Sequence, residues 1–548
     1  MGRFPSVAAI AWLVPIVLAP APPAAPAQTA ATHAGAVFKS SGTCLACHNG
    51  LTTPSGEDVS IGTSWRASMM ANASRDPYWQ ASVRRETIDH PALAHEIEDE
   101  CSICHMPMAR TLARAAGRAG EIFSHLPIGR DRSEESRLAA DGVSCTICHQ
   151  IGTERLGTRE SFTGGFVVNG VGAAEPPAMF GPFEIDAGRT AVMRSATGMR
   201  PAESSHIRQS ELCATCHTLF TQARDAQGRV IATLPEQVPY LEWRHSAFRE
   251  EQSCQACHMR AVDRPMPISS VLGQPREGLG RHTFLGGNVF MLRMLNRFRR
   301  ELGVEALPVE LDAAAEATAR QLRSDTATLS IASAPLAAGR LTVEAAISNR
   351  AGHKLPTGYP ARRAWLHLTV RDAAGGVAFE SGAVLPSGAI QGNDNDADAA
   401  RYEPHYREIN SAEQVQIYES VMSDANGAVT TGLLRGTAYL KDNRLLPRGF
   451  DKATAEPDIA VRGPAADDDD FVAGGDRITY VVDVAGRPGP FQIDLELRFQ
   501  TIAFRWAENL RPYQADETRR FTSFYEEMSD ASSIVLASAT ARVRESAP

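Results

Sequence analysis

All ten cysteines of this 548-residue chain fall into five copies of one unit, Cys-x-x-Cys-His, and none is left over. The copies are Cys44, Cys47 and His48; Cys101, Cys104 and His105; Cys145, Cys148 and His149; Cys213, Cys216 and His217; and Cys254, Cys257 and His258. With 15 histidines in the chain, random placement would put one behind all five pairs with odds on the order of 10⁻⁸, so the unit reads as the c-type haem attachment site. The spacing has a mechanical reason. Two thiols add to the two vinyl groups of one porphyrin while the adjacent imidazole reaches the iron from the proximal side. Five covalently attached haem c groups are therefore expected. Disulfides suit an exported chain, but a bridge inside each unit closes a very tight ring and leaves the histidines unexplained. Zinc would pair such units into four-ligand sites, and five is an odd number.

An interior filled by haem needs few long periodic segments. From Gln28 to about Gly280 the chain is rich in Gly, Pro and short polar loops with few long periodic stretches, which predicts a haem domain over 28–287. Helical patterns over Asn288–Leu302 and the Ala-rich Pro308–Arg323 predict a linker over 288–325. Beyond it the period switches to two, as in Leu341–Ile347, Trp365–Val370, Ile478–Val482 and Phe491–Leu497, and an antiparallel β-sandwich is expected over 326–548. The fold class is thus α+β and multidomain.

Residues 1–27 read as an export signal: Arg3 starts it, an apolar run covers Val7–Ala19, and Ala25-Pro26-Ala27 offers a cleavage site. The run is shorter than the roughly 20 residues of a bilayer span, and no later stretch is long enough. The expected location is the periplasm or the cell exterior. A formal net charge of −9, made more negative by haem propionates, argues against a nucleic-acid partner.

The sixth iron ligand decides whether a haem only passes electrons or also does chemistry. Histidines outside the units are His33, His90, His95, His125, His206, His245, His282, His353, His367 and His405. His33, His95, His125, His206 and His245 each precede a unit and are candidate distal ligands, His206 and His245 foremost. Met69 or Met70 is an alternative, because Trp65-Arg66-Ala67-Ser68 echoes Trp243-Arg244-His245-Ser246, and a thioether ligand raises a haem's potential. Met106 and Met259, next to their haem histidines, are weaker candidates. His353, in a Gly- and Pro-bounded loop, could present an imidazole across the domain interface. Asp394, Asp396 and Asp398 alternate as hard oxygen donors suited to calcium, although EF-hand offsets are missing. The run Asp467–Asp470 reads as a solvated loop.

The segments Trp65–Met70, Arg75-Asp76-Pro77, Asp141–Cys145 and Glu211–His217 resemble the multihaem cytochromes that carry the nitrifier tetrahaem cytochrome domain, over roughly residues 38–262. The resemblance implies a mostly helical, loop-rich fold around haems stacked in parallel and perpendicular pairs, and a periplasmic electron carrier. The chain departs from that pattern by its fifth unit and its long C-terminal region. The segment Gly352–Pro360 resembles one found in the C-terminal regions of other exported multihaem cytochromes. Three functions follow as expectations. The first is electron transfer between a redox donor and acceptor in a respiratory chain. The second is an oxidoreductase acting on a small nitrogen or sulfur compound at one open haem; the lysine-bearing unit of pentahaem nitrite reductases is absent. The third is docking through the sandwich, for which no aromatic cluster marks a face.

Overall fold

The computed structural model describes residues 1–2, 37–173, 175–225 and 227–544. The expected export signal and His33 lie outside these residues. Helices and several sheets are mixed along the chain, and no helix of the described residues is long and apolar enough to cross a membrane.

The N-terminal half is built from short helices and loops, as its Gly- and Pro-rich sequence implies. Its helix Pro77–Asp89 starts where Asp76 accepts hydrogen bonds from the Tyr78 and Trp79 amides at 2.9 and 3.3 Å, with Pro77 in the first turn. Both features are favourable at a helix start. The helices Val289–Arg297 and Pro308–Asp325 follow; the first stops short of the expected Leu302.

Two five-stranded sheets follow. One runs Glu408–Ile409, Gly475–Asp483, Arg340–Asn349, Ala327–Ser333, with Leu336–Ala337 beside Arg340–Asn349; Glu408–Ile409 pairs parallel and the rest antiparallel. The other is antiparallel and runs Ile417–Tyr418, Arg363–Arg371, Phe491–Gln500, Ser533–Val543, with Val377–Ser381 beside Arg363–Arg371. Alternation dictates the buried face: Leu341, Val343, Ala345 and Ile347 of one sheet share a single apolar cluster with Ile493, Leu495 and Leu497 of the other. Each of these Leu, Val and Ile side chains contributes roughly 1.5–3 kcal/mol on burial. Arg363–Arg371 is buried on both faces, because Trp365 packs on its far side with Ile390, Val415 and Ile417.

The two halves interlock. The helix Asp516–Met528 lies against Pro77–Asp89, with Tyr78 and Phe521 rings edge-on at 5.1 Å and Arg84 bonded to Glu517 at 2.8 Å. The turn at Leu433 also reaches back, its amide donating to Glu86 Oε1 at 2.8 Å.

Candidate haem-bearing cavity

Each Cys-x-x-Cys-His unit sits on or beside a short helix: Ser41–Leu45, Ala94–His105, Cys145–Cys148, Ser210–Ala214 and Cys254–His258. One helical turn brings residues i and i+3 to the same side, so both thiols of a unit face one way with the histidine next to them. All five units open onto one cavity of about 1620 Å³, lined by all ten cysteines and all five motif histidines. That volume exceeds the roughly 300–1,000 Å³ of a single small-molecule site. None of the ten thiols is joined in a disulfide. Burial pushes the Cys101, Cys148 and Cys257 thiols up, that of Cys148 to about 12.

The imidazoles are oriented by backbone. Nδ1 of His48, His105 and His149 lies 2.6, 3.0 and 2.6 Å from the carbonyls of Ile268, Ala73 and Phe180, and that of His258 meets the Leu285 carbonyl. A ring that donates Nδ1–H to a carbonyl presents a bare Nε2, the form a metal needs. Burial holds His105 and His258 down at about 4, so both rings stay neutral.

Two of the five have an imidazole opposite them. His149 faces His282 with ring centres 6.4 Å apart and planes 19° from parallel; His258 faces His353 at 6.3 Å and 14°. Two imidazoles bonded to one metal at about 2 Å each, with ring centres about 1 Å behind the nitrogens, stand about 6 Å apart. The gap fits one metal centre in a thin planar cofactor. His282 and His353 also turn Nδ1 to a backbone carbonyl, of Gly280 and Lys354, at 2.9 Å each.

The units are interleaved in space. Thiols of different units are neighbours in the pairs Cys44 with Cys145, Cys104 with Cys216 and Cys213 with Cys254. The unit ending at His217 therefore borders two others.

The fold is similar to that of a penta-heme cytochrome c552. This solved structure, from Thermochromatium tepidum, matches with a TM-score of 0.50 and 16% identity over 92% of this chain and 99% of its own. At that identity the likeness concerns the fold alone. No family model and no curated protein matches the chain.

Other histidines named from sequence are placed elsewhere. His206 spends both nitrogens, Nε2 on the Ile151 carbonyl at 2.9 Å and Nδ1 on Ser204 Oγ at 2.6 Å. His245 turns Nε2 to the Asp451 carbonyl at 3.0 Å and packs on Phe450. His125 bonds Ser136 Oγ at 2.9 Å, and His95 is exposed on its helix. None of these four lines the cavity. Hydrogen bonds to the nearest backbone and hydroxyl partners hold three of them away, and helix phase turns His95 outward. Met69 and Met70 do line it, as does Met259; Met106 is in the apolar core. His282 was passed over because only its Gly-flanked loop, 278–287, sets it apart in sequence.

The acidic triplet is not gathered either. Asp396 is buried against the Arg363 guanidinium at 2.9 Å on both oxygens, Asp394 pairs with Arg401 at 2.6 Å, and Asp398 accepts from the Ala400 amide at 2.9 Å. Arginine charge stands where calcium was expected. Asp468, expected in a solvated run, is buried and bonded by His405 Nε2 at 3.0 Å.

Proposed function

We propose that each of the five units holds one haem c and that the chain is an exported pentahaem cytochrome carrying electrons between redox-protein partners. The facing imidazoles carry this reading, because two independent pairs at one-metal spacing, each joining a motif histidine to a histidine distant in sequence, have no purpose in a metal-free core. When bound, haem supplies one-electron chemistry tuned by its axial ligands and burial. The protein's part is positional. Carbonyls on Nδ1 orient and strengthen the ligand nitrogens. A thioether sulfur sits at the rim of its porphyrin, so neighbouring thiols place their rims together. The neighbouring pairs give two groups, one with the unit of Cys213–His217 between those of Cys101–His105 and Cys254–His258, the other joining the units of Cys44–His48 and Cys145–His149. In this reading the region from 326 onward is a β-sandwich lid, and its loop Gly352–Pro360 delivers His353 to the haem of His258.

A second reading has an observation behind it. Among the described residues no imidazole faces His48, His105 or His217 at comparable spacing, while Asp76, Tyr78, Glu236 and Tyr359 line the same cavity. An open haem among proton donors is the setting for chemistry on a small nitrogen or sulfur compound.

Haem content and electron paramagnetic resonance of the oxidised protein test the first reading. Five haems are expected, and His282→Ala and His353→Ala should each convert one low-spin signal to high-spin. Unaltered spectra in both variants would sink it.

A further inference from the structure

Beside the unit of Cys101–His105 the cavity wall carries a buried acid with a free oxygen. Glu236, at the end of the strand Val230–Gln237, is 5% exposed and lines the cavity. Its carboxyl accepts one side-chain hydrogen bond, from Thr221 Oγ1 to Oε2, and Oε1 has no protein partner among the described residues. Among the carboxylates that act on the Cys101 thiol, Glu236 acts most strongly. The next wall residues are Tyr78 and Tyr359, rings edge-on at 5.7 Å.

The imidazole on this side is differently furnished from those of His149 and His258. His105 is stacked on Trp79 with ring centres 4.2 Å apart and planes at 3°, and its bare Nε2 meets no second imidazole among the described residues. The charged groups packed on Glu236 are also of one sign. Glu86 is its acidic neighbour; Tyr359 and Tyr439 approach from the other half, and Cys101 and Cys104 from the helix Ala94–His105. No lysine or arginine pairs with it. Such a wall repels anions when ionised and donates a hydrogen bond when protonated.

We infer that the space between the Cys101–His105 unit and Glu236 is a pocket for a small uncharged molecule, diatomic or hydroxylamine-sized, that binds haem iron and accepts a hydrogen bond from Glu236. Burial supports the donor role, pushing the Glu236 carboxyl up to about 7, so that its proton is present or absent within the physiological range. The inference rests on a haem being held at this unit.

The test uses the loaded, reduced protein with carbon monoxide as probe. Haem is counted first and attachment at Cys101 and Cys104 confirmed by peptide mass; a missing haem there refutes the parent reading. With that haem present, carbon monoxide is expected to bind at the haem of His105. Its infrared C–O stretch should move as pH rises from about 6 to about 8. Glu236→Gln should still bind carbon monoxide but hold the stretch at one value. Thr221→Val removes the hydrogen bond that favours the ionised acid, so it should move the midpoint upward; this serves if Glu236→Gln fails to fold. No uptake by the loaded protein, a stretch in Glu236→Gln that still follows pH, or an unmoved midpoint in Thr221→Val would each overturn the inference.

Discussion

Along residues 326–544 side chains from two sheets meet in one large apolar cluster, whereas over 37–287 the buried apolar residues scatter into small groups around a cavity of about 1620 Å³. The first region fills its interior with side chains, joined by Phe162, Val238, Tyr240 and Leu241 from the second. The second is a shell, and its walls have nothing to pack against until something fills the space. The two solutions leave different signatures in sequence, period-two strands in one and glycine-punctuated helical turns in the other.

The comparison can be broken hardest at the unit of Cys213–His217, which borders two others. Replacing both Cys213 and Cys216 by alanine should leave the cavity unfilled where three units meet. Residues 37–287 should then become protease-sensitive while 326–544 stay protected, as read by limited proteolysis with mass spectrometry. Equal sensitivity of both regions would mean that the strands lean on the haem half for their stability.

A smaller but still large effect is expected from the charges that pin the interlocking loop. Lys354 Nζ lies 2.7 Å from Asp442 Oδ2, Arg444 binds the same carboxylate at 2.7 Å and reaches Glu242 Oε1 at 2.8 Å, and the Lys354 amide donates to Glu242 Oε2 at 3.1 Å. Asp442→Ala strands the buried Lys354 ammonium and takes one of the two acidic partners of Arg444, and should cost about 3–5 kcal/mol, measured by denaturant unfolding. Because Lys354 follows His353, the variant should also disturb the signal of the haem assigned to His258. A loss of stability with no spectral change would uncouple the two regions.

The mildest effect sharpens the contrast through pH. Burial pushes Asp476, inside the sheet region, up to about 7, against hydrogen bonds from Tyr418 and the Arg477 amide that favour its ionised form. An unfolded aspartate titrates near about 3.9. The folded value is the higher, so this contribution to stability is complete below about pH 4 and is lost as pH rises through about 7. Asp476→Asn should flatten the fall in unfolding midpoint between those values, with the haem spectra unaltered.

Much of this organisation is legible in the residues. Leu341–Ile347 and Phe491–Leu497 alternate because one face of each strand meets a core, and that period survives in any correct fold. Helix starts such as Asp76-Pro77 are equally local. The imidazoles that face motif histidines were legible only in part, His353 through its Gly- and Pro-bounded loop and His282 not at all. Proximity in sequence favoured His206 and His245, yet both spend their Nε2 on nearby carbonyls, while His282 and His353 reach the cavity on loops that nothing local commits. The acidic triplet failed for a related reason, since Arg363 arrives beside Asp396 only when the sheet forms.

By itself the sequence determined where five Cys-x-x-Cys-His units stand, and hence which thiols and proximal imidazoles belong together, because that relation spans a single helical turn. Only the tertiary structure decided that His282 stands opposite His149 and His353 opposite His258, which units are neighbours, and that Glu236 turns a free oxygen toward the cavity. Each of these is a contact across the fold between residues far apart in the chain, whose relative positions are set by packing and by no local propensity.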